Sequence, residues 1–184
     1  MENQAPKQNQ SVPVASAKNR ILTKEKLCKR RWQGLSSCEF CGLFESTDHL
    51  FFKCSVARYI WRVVQIALNL HTIPTSTDDL FGPWIHSFSK IDRNVVMFGC
   101  GAVLWSIWRT RNDKVFNGKM LADPSNSVFL CCFWLDTWAI LQKKKEKRIV
   151  ELGSLRIRKT ANDAFCRAFG WSPVDRRITG ALLP

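Results

Sequence analysis

The sequence predicts a mainly α-helical protein, and three observations support that prediction. Apolar residues recur at intervals of three and four in several segments, as they do along the buried face of a helix. Residue types that begin and end helices stand at the borders of those segments. No convincing run of alternating apolar and polar residues indicates a strand. With 184 residues, 46% of them hydrophobic, the chain is long enough to bury a core.

The first half of the chain predicts three helices. A short basic helix is expected from Thr23 to Gly34. Ser55 is expected to cap an amphipathic helix, which ends before a loop over residues 69–78. One of the two aspartates 78 and 79 begins a short helix that continues through residue 88. The apolar face of the amphipathic helix comprises Val56, Ile60, Trp61, Val63, Val64, Ala67 and Leu68.

The second half predicts three more helices. Asp92 begins a long helix that ends near Asn117 and Gly118. The Asp123-Pro124 pair begins a buried helix that is expected to emerge as a charged tail near residue 148. A last short helix over residues 160–169 ends at a glycine. Four tryptophans at helical spacing are expected in the core: Trp105, Trp108, Trp134 and Trp138.

The N-terminal residues 1–17 are rich in Gln, Asn, Ser and Pro, and we expect them to be disordered. They lack the apolar segment of a secretory signal peptide. The longest charge-free apolar stretch, Val95 to Trp108, is too short to span a bilayer. We therefore expect an intracellular protein that is neither secreted nor transmembrane, and in a reducing compartment clustered cysteines indicate metal ligands rather than disulfides.

Such a cluster follows the pattern Cys38-x2-Cys41-x7-His49-x4-Cys54. Two cysteines with two residues between them can present both thiolates to one ion, and the His–Cys pair can supply two more ligands from the start of a helix. Three thiolates and an imidazole match the tetrahedral set of a structural zinc site, with no position left open for catalysis. The cofactor predicted from these four residues is structural Zn²⁺, in a small loop packed on the helical bundle.

Other interpretations of the cluster are a redox Cys-x-x-Cys motif and chance. A redox motif would need neither the downstream His nor the downstream Cys, and no βαβ pattern surrounds it. The phenylalanines between the ligands would either stack on exposed bases or form a mini-core around the metal; they are Phe40, Phe44, Phe51 and Phe52.

The remaining cysteines and histidines are expected to be ordinary structural residues. Only Cys28 lies near enough in sequence to compete as a ligand. The other cysteines are expected to be small buried hydrophobes; they are Cys100, Cys131, Cys132 and Cys166. His71 and His86 are expected at the surface or in loops.

The net charge of +13 is concentrated in two segments, residues 18–31 and 143–159. Such clusters favour a polyanionic partner, RNA or DNA ahead of a membrane surface, although basic runs are often only solvated faces or nuclear-import signals. The metal loop has a surplus of acidic residues, so we expect phosphate contacts from the flanking segments. The predicted phosphate-binding residues are Lys24, Lys26, Lys29, Arg30, Arg31, Lys143, Lys144, Lys145, Lys147 and Arg148.

Three stretches together resemble a known family. NRILTKEKL, CEFCGLFESTDHLFFKCSVARYIW and WSIWRTRNDKVFNGK are similar to the zinc-binding domain at the C-terminal end of plant non-LTR (LINE-type) retrotransposon reverse transcriptases. The resemblance covers residues 19–118, and residues 1–18 bear no likeness to the Trp- and Pro-containing stretch with which that domain begins. The positions that match the family pattern are Cys38, Cys41, Glu45, Ser46, His49, Leu50, Phe51, Cys54, Trp61, Trp105, Trp108, Arg111, Asn112 and Phe116.

The resemblance implies a retroelement-derived module that places template RNA or target DNA near a polymerase. The polymerase itself is expected to be absent, because the only adjacent acidic pair, Asp78-Asp79, has neither the upstream aromatic residue nor the strands of a polymerase palm. We therefore expect a non-catalytic zinc-binding domain over residues 18–118, C-terminal helices over 119–184, and no small-molecule substrate. The alternatives are a zinc-stabilised scaffold for a protein partner and a transposon remnant without a function.

Overall fold

The computed structural model describes residues 21–119, 121 and 123–170. The tail predicted to be disordered, 1–17, lies outside the described residues. The mainly α-helical prediction is confirmed: the described part of the chain contains no strand, only one antiparallel bridge between Ser37 and Phe44. None of its helices is long and apolar enough to cross a membrane.

Over the described residues, six helices and two π-helical turns follow one another. The helices are α1 (Lys24–Lys29), α2 (Ser55–Leu68), α3 (Thr77–Asp79), α4 (Arg93–Asn117), α5 (Ser125–Ala139) and α6 (Lys144–Phe169). The π-helical turns are His49–Lys53, directly before α2, and Leu80–Trp84, directly after α3.

Helices α2, α4, α5 and α6 pack into one bundle. Helix α5 runs antiparallel to α4, since Ser127 near its start contacts Thr110, and Trp138 near its end packs on Phe98. Helix α6 packs back on α5 and also on α2. The centre of the bundle is filled by fully buried side chains; they include Ile60, Ala102, Leu104, Ile107, Val128, Cys131 and Ala161.

Several predicted helix ends are confirmed. The Asp123 carboxylate accepts a hydrogen bond from the Ser125 N–H at 2.6 Å and so caps α5. Helix α4 follows Asp92 and ends at Gly118, and α6 ends at Gly170. Both glycines have left-handed φ values, 62° and 67°, that L side chains rarely adopt.

Helix α1 ends earlier than predicted. It stops at Lys29 rather than at Gly34, because Arg31 takes a left-handed φ of 64° and the Trp32 N–H donates to the Leu27 carbonyl at 3.1 Å. Gly34 has a different role. A Cβ atom there would lie 2.0 Å from Cη2 of Trp32, so only glycine allows the chain to pass the indole ring.

The predicted charged tail and separate last helix are wrong. Helix α5 ends at Ala139, and a new helix of 26 residues, α6, begins at Lys144. The basic run is therefore part of a packed helix. One stripe of α6 is buried, which explains why the helix continues through so many charged residues; the stripe comprises Val150, Ser154, Ile157, Ala161 and Cys166.

Two helix starts differ from the prediction by one to three residues. The residue that precedes α2 in extended conformation is Cys54, and Ser55 is already helical. Helix α3 is capped by Ser76, whose hydroxyl accepts from the Asp79 N–H at 3.1 Å. Asp79 is thus inside the helix rather than at its start.

Candidate metal centre

The structure brings together the four side chains that the spacing singled out. One ligand atom from each of Cys38, Cys41, His49 and Cys54 lies within 4.8 Å of all the others. The Cys38 and Cys54 sulfurs are 3.6 Å apart, and the Cys41 sulfur lies 3.2 Å from His49 Nε2. Sulfurs bound to one tetrahedral ion at about 2.3 Å would be about 3.8 Å apart. The cluster can therefore hold a metal ion.

A tight turn presents the first two ligands. The Gly42 N–H donates to the Cys38 carbonyl at 2.8 Å, and the Cys38 N–H donates to the Leu43 carbonyl at 2.6 Å. Gly42 has a φ of 76°, which closes this turn at a position where other residues would be strained. The Ser37–Phe44 bridge holds the two arms of the turn together.

A π-helical turn presents the other two ligands. His49 opens the turn His49–Lys53, and the Cys54 N–H donates to the His49 carbonyl at 2.7 Å. A π-helix joins residues five apart, so the His-x4-Cys spacing is one such turn. Since Cys54 immediately precedes α2, the cluster is attached directly to the bundle.

Of the hydrogen-bonded pair Cys38 and Cys54, Cys54 is the residue whose thiolate form is favoured. The hydrogen bond from Cys38 lowers the pKa of Cys54, helped by the N–H groups of Val56 and Ala57 and opposed by burial. The same hydrogen bond, together with burial, raises the pKa of Cys38. A metal ion bound here would displace the Cys38 proton, which couples metal binding to pH.

Residues 2–61 match a protein family described as zinc-binding in reverse transcriptase. The match spans 60 of the 184 residues. The match begins nearer the N-terminus than the resemblance predicted, and it ends at Trp61, before the residues around Trp105 and Arg111. Searches of curated proteins and of solved structures give no match.

The described part of the matched segment, residues 21–61, forms the zinc-binding segment and is joined to α4 by a buried ion pair. Glu45 is 0% exposed and Arg111 is 1% exposed. Arg111 Nη2 donates to Glu45 Oε1 at 2.6 Å, and its Nε lies 3.1 and 3.3 Å from the two carboxylate oxygens. Glu45 Oε1 also accepts from the Lys24 N–H at 2.8 Å and so caps α1, a role expected of Thr23. Neither the charges nor the spacing in the sequence predicts that Glu45 pairs with Arg111.

The buried side chain of Lys24 forms hydrogen bonds to the turn that carries Cys38 and Cys41. Its side chain is 2% exposed, and its ammonium donates to the Ser37 carbonyl at 2.7 Å and to Glu39 at 2.5 Å. This hydrogen bond and the positive charge of Lys24 lower the pKa of Glu39. Lys24, predicted to bind phosphate, is thus engaged within the zinc-binding segment.

Each of the three carboxylates in the expected acidic surface of the metal loop has a partner in another element, and only Glu39 is exposed. Glu45 is buried against Arg111, and Glu39 pairs with Lys24. Asp48 accepts from the N–H and the hydroxyl of Thr77, at 2.9 and 2.7 Å. These carboxylates fasten the loop to α1, α3 and α4 rather than repelling a polyanion.

The phenylalanines of the segment divide into two kinds. Phe51 and Phe52 are buried, and the Phe52 ring stacks on Trp61 with centroids 6.1 Å apart. Phe51 and Phe52 therefore form a mini-core, as the second of the two interpretations of these phenylalanines predicted. Phe40 is partly buried against the core, whereas Phe44 is 56% exposed at the metal-binding turn.

The other cysteines and the histidines lie outside the metal cluster. Cys28 Sγ is directed to the Gly34 carbonyl at 3.6 Å, and His71 and His86 are exposed. The four helical cysteines expected in the core are all buried. Burial raises the pKa of the Cys100 thiol to about 12. The four tryptophans expected in the core are only partly buried against it, and they contact one another with centroid separations between 5.1 and 6.3 Å.

The two groups of predicted phosphate-binding residues lie at opposite ends of the bundle. Helix α1 is joined through Glu45 to Arg111, near the end of α4. The beginning of α6 lies beside the beginning of α4, where Val150 and Val95 line one cavity. Sixteen residues of α4 separate Val95 from Arg111, which is about 24 Å at a rise of about 1.5 Å per residue.

Exposure differs between the two groups. At the metal end, Lys29, Arg30 and Arg31 are exposed, and Lys29 pairs with Glu25 at 2.6 Å. At the α6 end, the exposed residues are Lys143, Lys144, Lys145 and Arg148. None of these four forms an ion pair with the described part of the chain, while Lys147 lies 3.8 Å from Glu151. The α6 end is the more available cationic surface.

Proposed function

We propose that this chain is a non-catalytic, zinc-stabilised module that binds nucleic acid through phosphate contacts. The observation that supports it most directly is the Cys3His cluster within a segment that matches the reverse-transcriptase zinc-binding family. A retrotransposon origin, of the plant LINE type that the sequence resembles, and an intracellular or nuclear location are part of this proposal.

Zinc is the ion that this donor set suits best. Three sulfurs and one imidazole nitrogen are soft and borderline ligands, which favour Zn²⁺ over the oxygen-seeking Mg²⁺ and Ca²⁺. Cys38, His49 and Cys54 are buried, and four protein ligands complete a tetrahedral shell. Such a site has no position for a substrate or an activated water, so the ion has a structural role.

Nucleic acid is the partner that the charge distribution suits best. A surplus of 13 positive charges attracts polyanions. The cationic surface at the start of α6 offers four exposed side chains at neighbouring positions that form no ion pair with the described residues. The part of α4 between Val95, at the α6 end, and Arg111, at the metal end, is about 24 Å long. Phosphates of one extended strand or duplex could contact both ends.

A protein-interaction scaffold is the second candidate function. It is favoured by apolar side chains exposed around the metal-binding turn, namely Leu35 at 78%, Leu43 at 63% and Phe44 at 56%. Such a surface is typical of a docking site for another protein. In that case the zinc would only hold the turn in shape.

A filter-binding titration distinguishes the two candidates. The zinc-loaded chain is titrated against duplex DNA and against single-stranded RNA at several salt concentrations. We expect affinity to fall steeply with salt, with a log–log slope of about −0.9 per phosphate neutralised on duplex DNA. Binding that is absent at low salt, or insensitive to salt, would reject the nucleic-acid proposal and leave the scaffold.

A further inference from the structure

Helices α2, α4 and α6 line a partly open apolar cavity of about 180 Å³. Trp61 and Trp84 form one part of its wall, and Val95 in α4 and Val150 in α6 form another. None of the four described ligand residues of the metal cluster lines it. The cavity is therefore a second site, separate from the metal centre.

Two helical glycines keep this space open. Gly99 in α4 and Gly153 in α6 both line the cavity. A Cβ atom at Gly99 would meet no atom within 4 Å, and one at Gly153 would meet only Leu68 Cδ2, at 3.8 Å. Close packing therefore does not require either glycine, although glycine is the least favourable helix residue after proline. The chain leaves space at two places where alanine would fit and would favour the helix.

The wall of the cavity offers almost no hydrogen-bonding groups. The indole N–H of Trp61 already donates to the Phe51 carbonyl at 2.8 Å, and that of Trp84 donates to the Thr72 carbonyl at 3.1 Å. The other lining residues are aliphatic apart from the Cys100 thiol and glycine backbone. A polar or charged occupant would lose its hydrogen bonds to water without replacement, so the site selects against it.

We propose that this cavity binds a small, uncharged, apolar ring compound. An apolar protein cavity of about 150 Å³ stays dry and takes up benzene, because apolar walls hold water poorly. A volume of about 180 Å³ suits a monocyclic hydrocarbon with one or two additional carbons. Toluene is the probe that represents this class, and phenol is its polar counterpart of similar size.

The test uses the full chain loaded with zinc. Toluene is titrated while tryptophan fluorescence and the melting temperature are recorded, since Trp61 and Trp84 line the site. We expect saturable binding that raises the melting temperature. Phenol should bind at least about tenfold more weakly, because its hydroxyl finds no partner.

Two matched leucine variants locate the binding. Gly99→Leu fills the cavity and should weaken toluene binding at least about tenfold. Asn94→Leu places the same leucine side chain at an exposed position of the same helix and should bind toluene as the unmodified chain does. If Gly99→Leu does not fold, Gly99→Ala and Gly153→Ala provide smaller steps, each of which should weaken binding while the melting temperature without ligand rises.

Three results would overturn the proposal. They are the lack of saturable toluene binding up to its solubility, equal affinity for phenol, and unchanged affinity in the filled variants. A segment of this chain that occupied the cavity would give the first of these results. Nucleic-acid affinity is measured separately and should be the same with and without toluene, so neither proposal depends on the other.

Discussion

Arg111 Nη2 lies 2.6 Å from Glu45 Oε1, and the two side chains are almost completely buried. This pair joins the metal-binding loop to the middle of the sequence, across 66 positions. The same Glu45 oxygen accepts from the Lys24 N–H and begins α1. The Glu45 carboxylate therefore connects the metal loop to α1 and to α4. The zinc-binding segment thus depends on residues beyond its own end at Trp61.

Removing either partner of this pair should destabilise the protein strongly. Arg111→Met leaves the Glu45 carboxylate buried without a counter-charge, which typically costs about 3–5 kcal/mol. Urea unfolding of the zinc-loaded chain measures this loss. Adding Glu45→Gln to that variant should recover part of it, because the remaining group is neutral. The Glu45→Gln single variant completes the double-mutant cycle, which gives the coupling energy of the pair.

Arg109→Met is the matched control for that measurement. Arg109 lies two positions away on α4, is 52% exposed, and approaches Asp113 only to 3.7 Å. Exposed pairs of this kind contribute about 0.2–1 kcal/mol. Equal losses for Arg109→Met and Arg111→Met would show that the buried pair does not fasten the loop.

The metal cluster should be required for the fold of the loop. Cys41→Ser removes one of four ligands, and metal binding at such sites is coupled to folding, with apparent free energies of about 10–16 kcal/mol in small zinc domains. We expect the variant to lose its zinc and to unfold over at least residues 35–60. Metal analysis and hydrogen exchange measure the two effects.

Cys28→Ser is the control for the ligand variant. Cys28 lies in the same segment, but its sulfur faces the Gly34 carbonyl outside the cluster. It should keep a full equivalent of zinc. A Cys41→Ser protein with unchanged zinc content and unchanged exchange over the loop would contradict the assignment.

The ligand cluster was predictable because its information is local. The Cys38–Cys41 pair forms a turn closed by Gly42, and the His49–Cys54 pair is one π-helical turn, so sequence spacing fixes both halves. Helix ends at Gly118 and Gly170 were predictable for the same reason. Local residue type determines such features.

The tertiary features were not predictable in this way. Glu45 and Arg111 are far apart in sequence, and a pair of opposite charges carries no signal of which partner it meets. Residues 143–148 were predicted to be a charged tail because they are all charged, and the buried stripe of α6 begins only at Val150. Packing on α2 and α5 makes them helical, and packing is visible only once the other helices are in place.

The buried cysteines should make the protein less stable at alkaline pH. Burial raises the pKa of Cys100 from 9.0 to about 12. The folded state therefore keeps a proton that the unfolded chain loses, so this stabilisation is complete below pH 9 and is lost as the pH rises towards 12. Cys100→Ala should remove up to about 1.4 kcal/mol per pH unit of this dependence.

Urea unfolding at intervals from pH 8 to pH 10.5 compares the unmodified chain with Cys100→Ala. Cys28→Ala provides the control, because Cys28 is only partly buried. Parallel stability curves for all three proteins would show that Cys100 is not held protonated by the fold.

The separation of the two cationic ends predicts how nucleic-acid length should matter. About 24 Å of α4 lies between them, which corresponds to about seven base pairs at about 3.4 Å each. A short duplex should therefore reach one end only, whereas a duplex of about 16 base pairs can reach both. From the short duplex to the longer one, the affinity for DNA should rise by more than the larger number of overlapping binding sites explains.

Two charge variants test this arrangement. Replacing Lys143, Lys144 and Lys145 by Gln removes cations from the α6 end, and replacing Lys29, Arg30 and Arg31 by Gln removes as many from the metal end. Each should lower the salt slope on the long duplex by up to about 2.7, about 0.9 for every phosphate that is no longer neutralised. On the short duplex, we expect the α6-end variant to bind more weakly than the metal-end variant. The α6-end cations form no ion pair with residues that the structure describes, whereas Lys29 already pairs with Glu25. If the two variants retain the salt slope of the unmodified chain, the phosphate-binding residues lie elsewhere on the molecule.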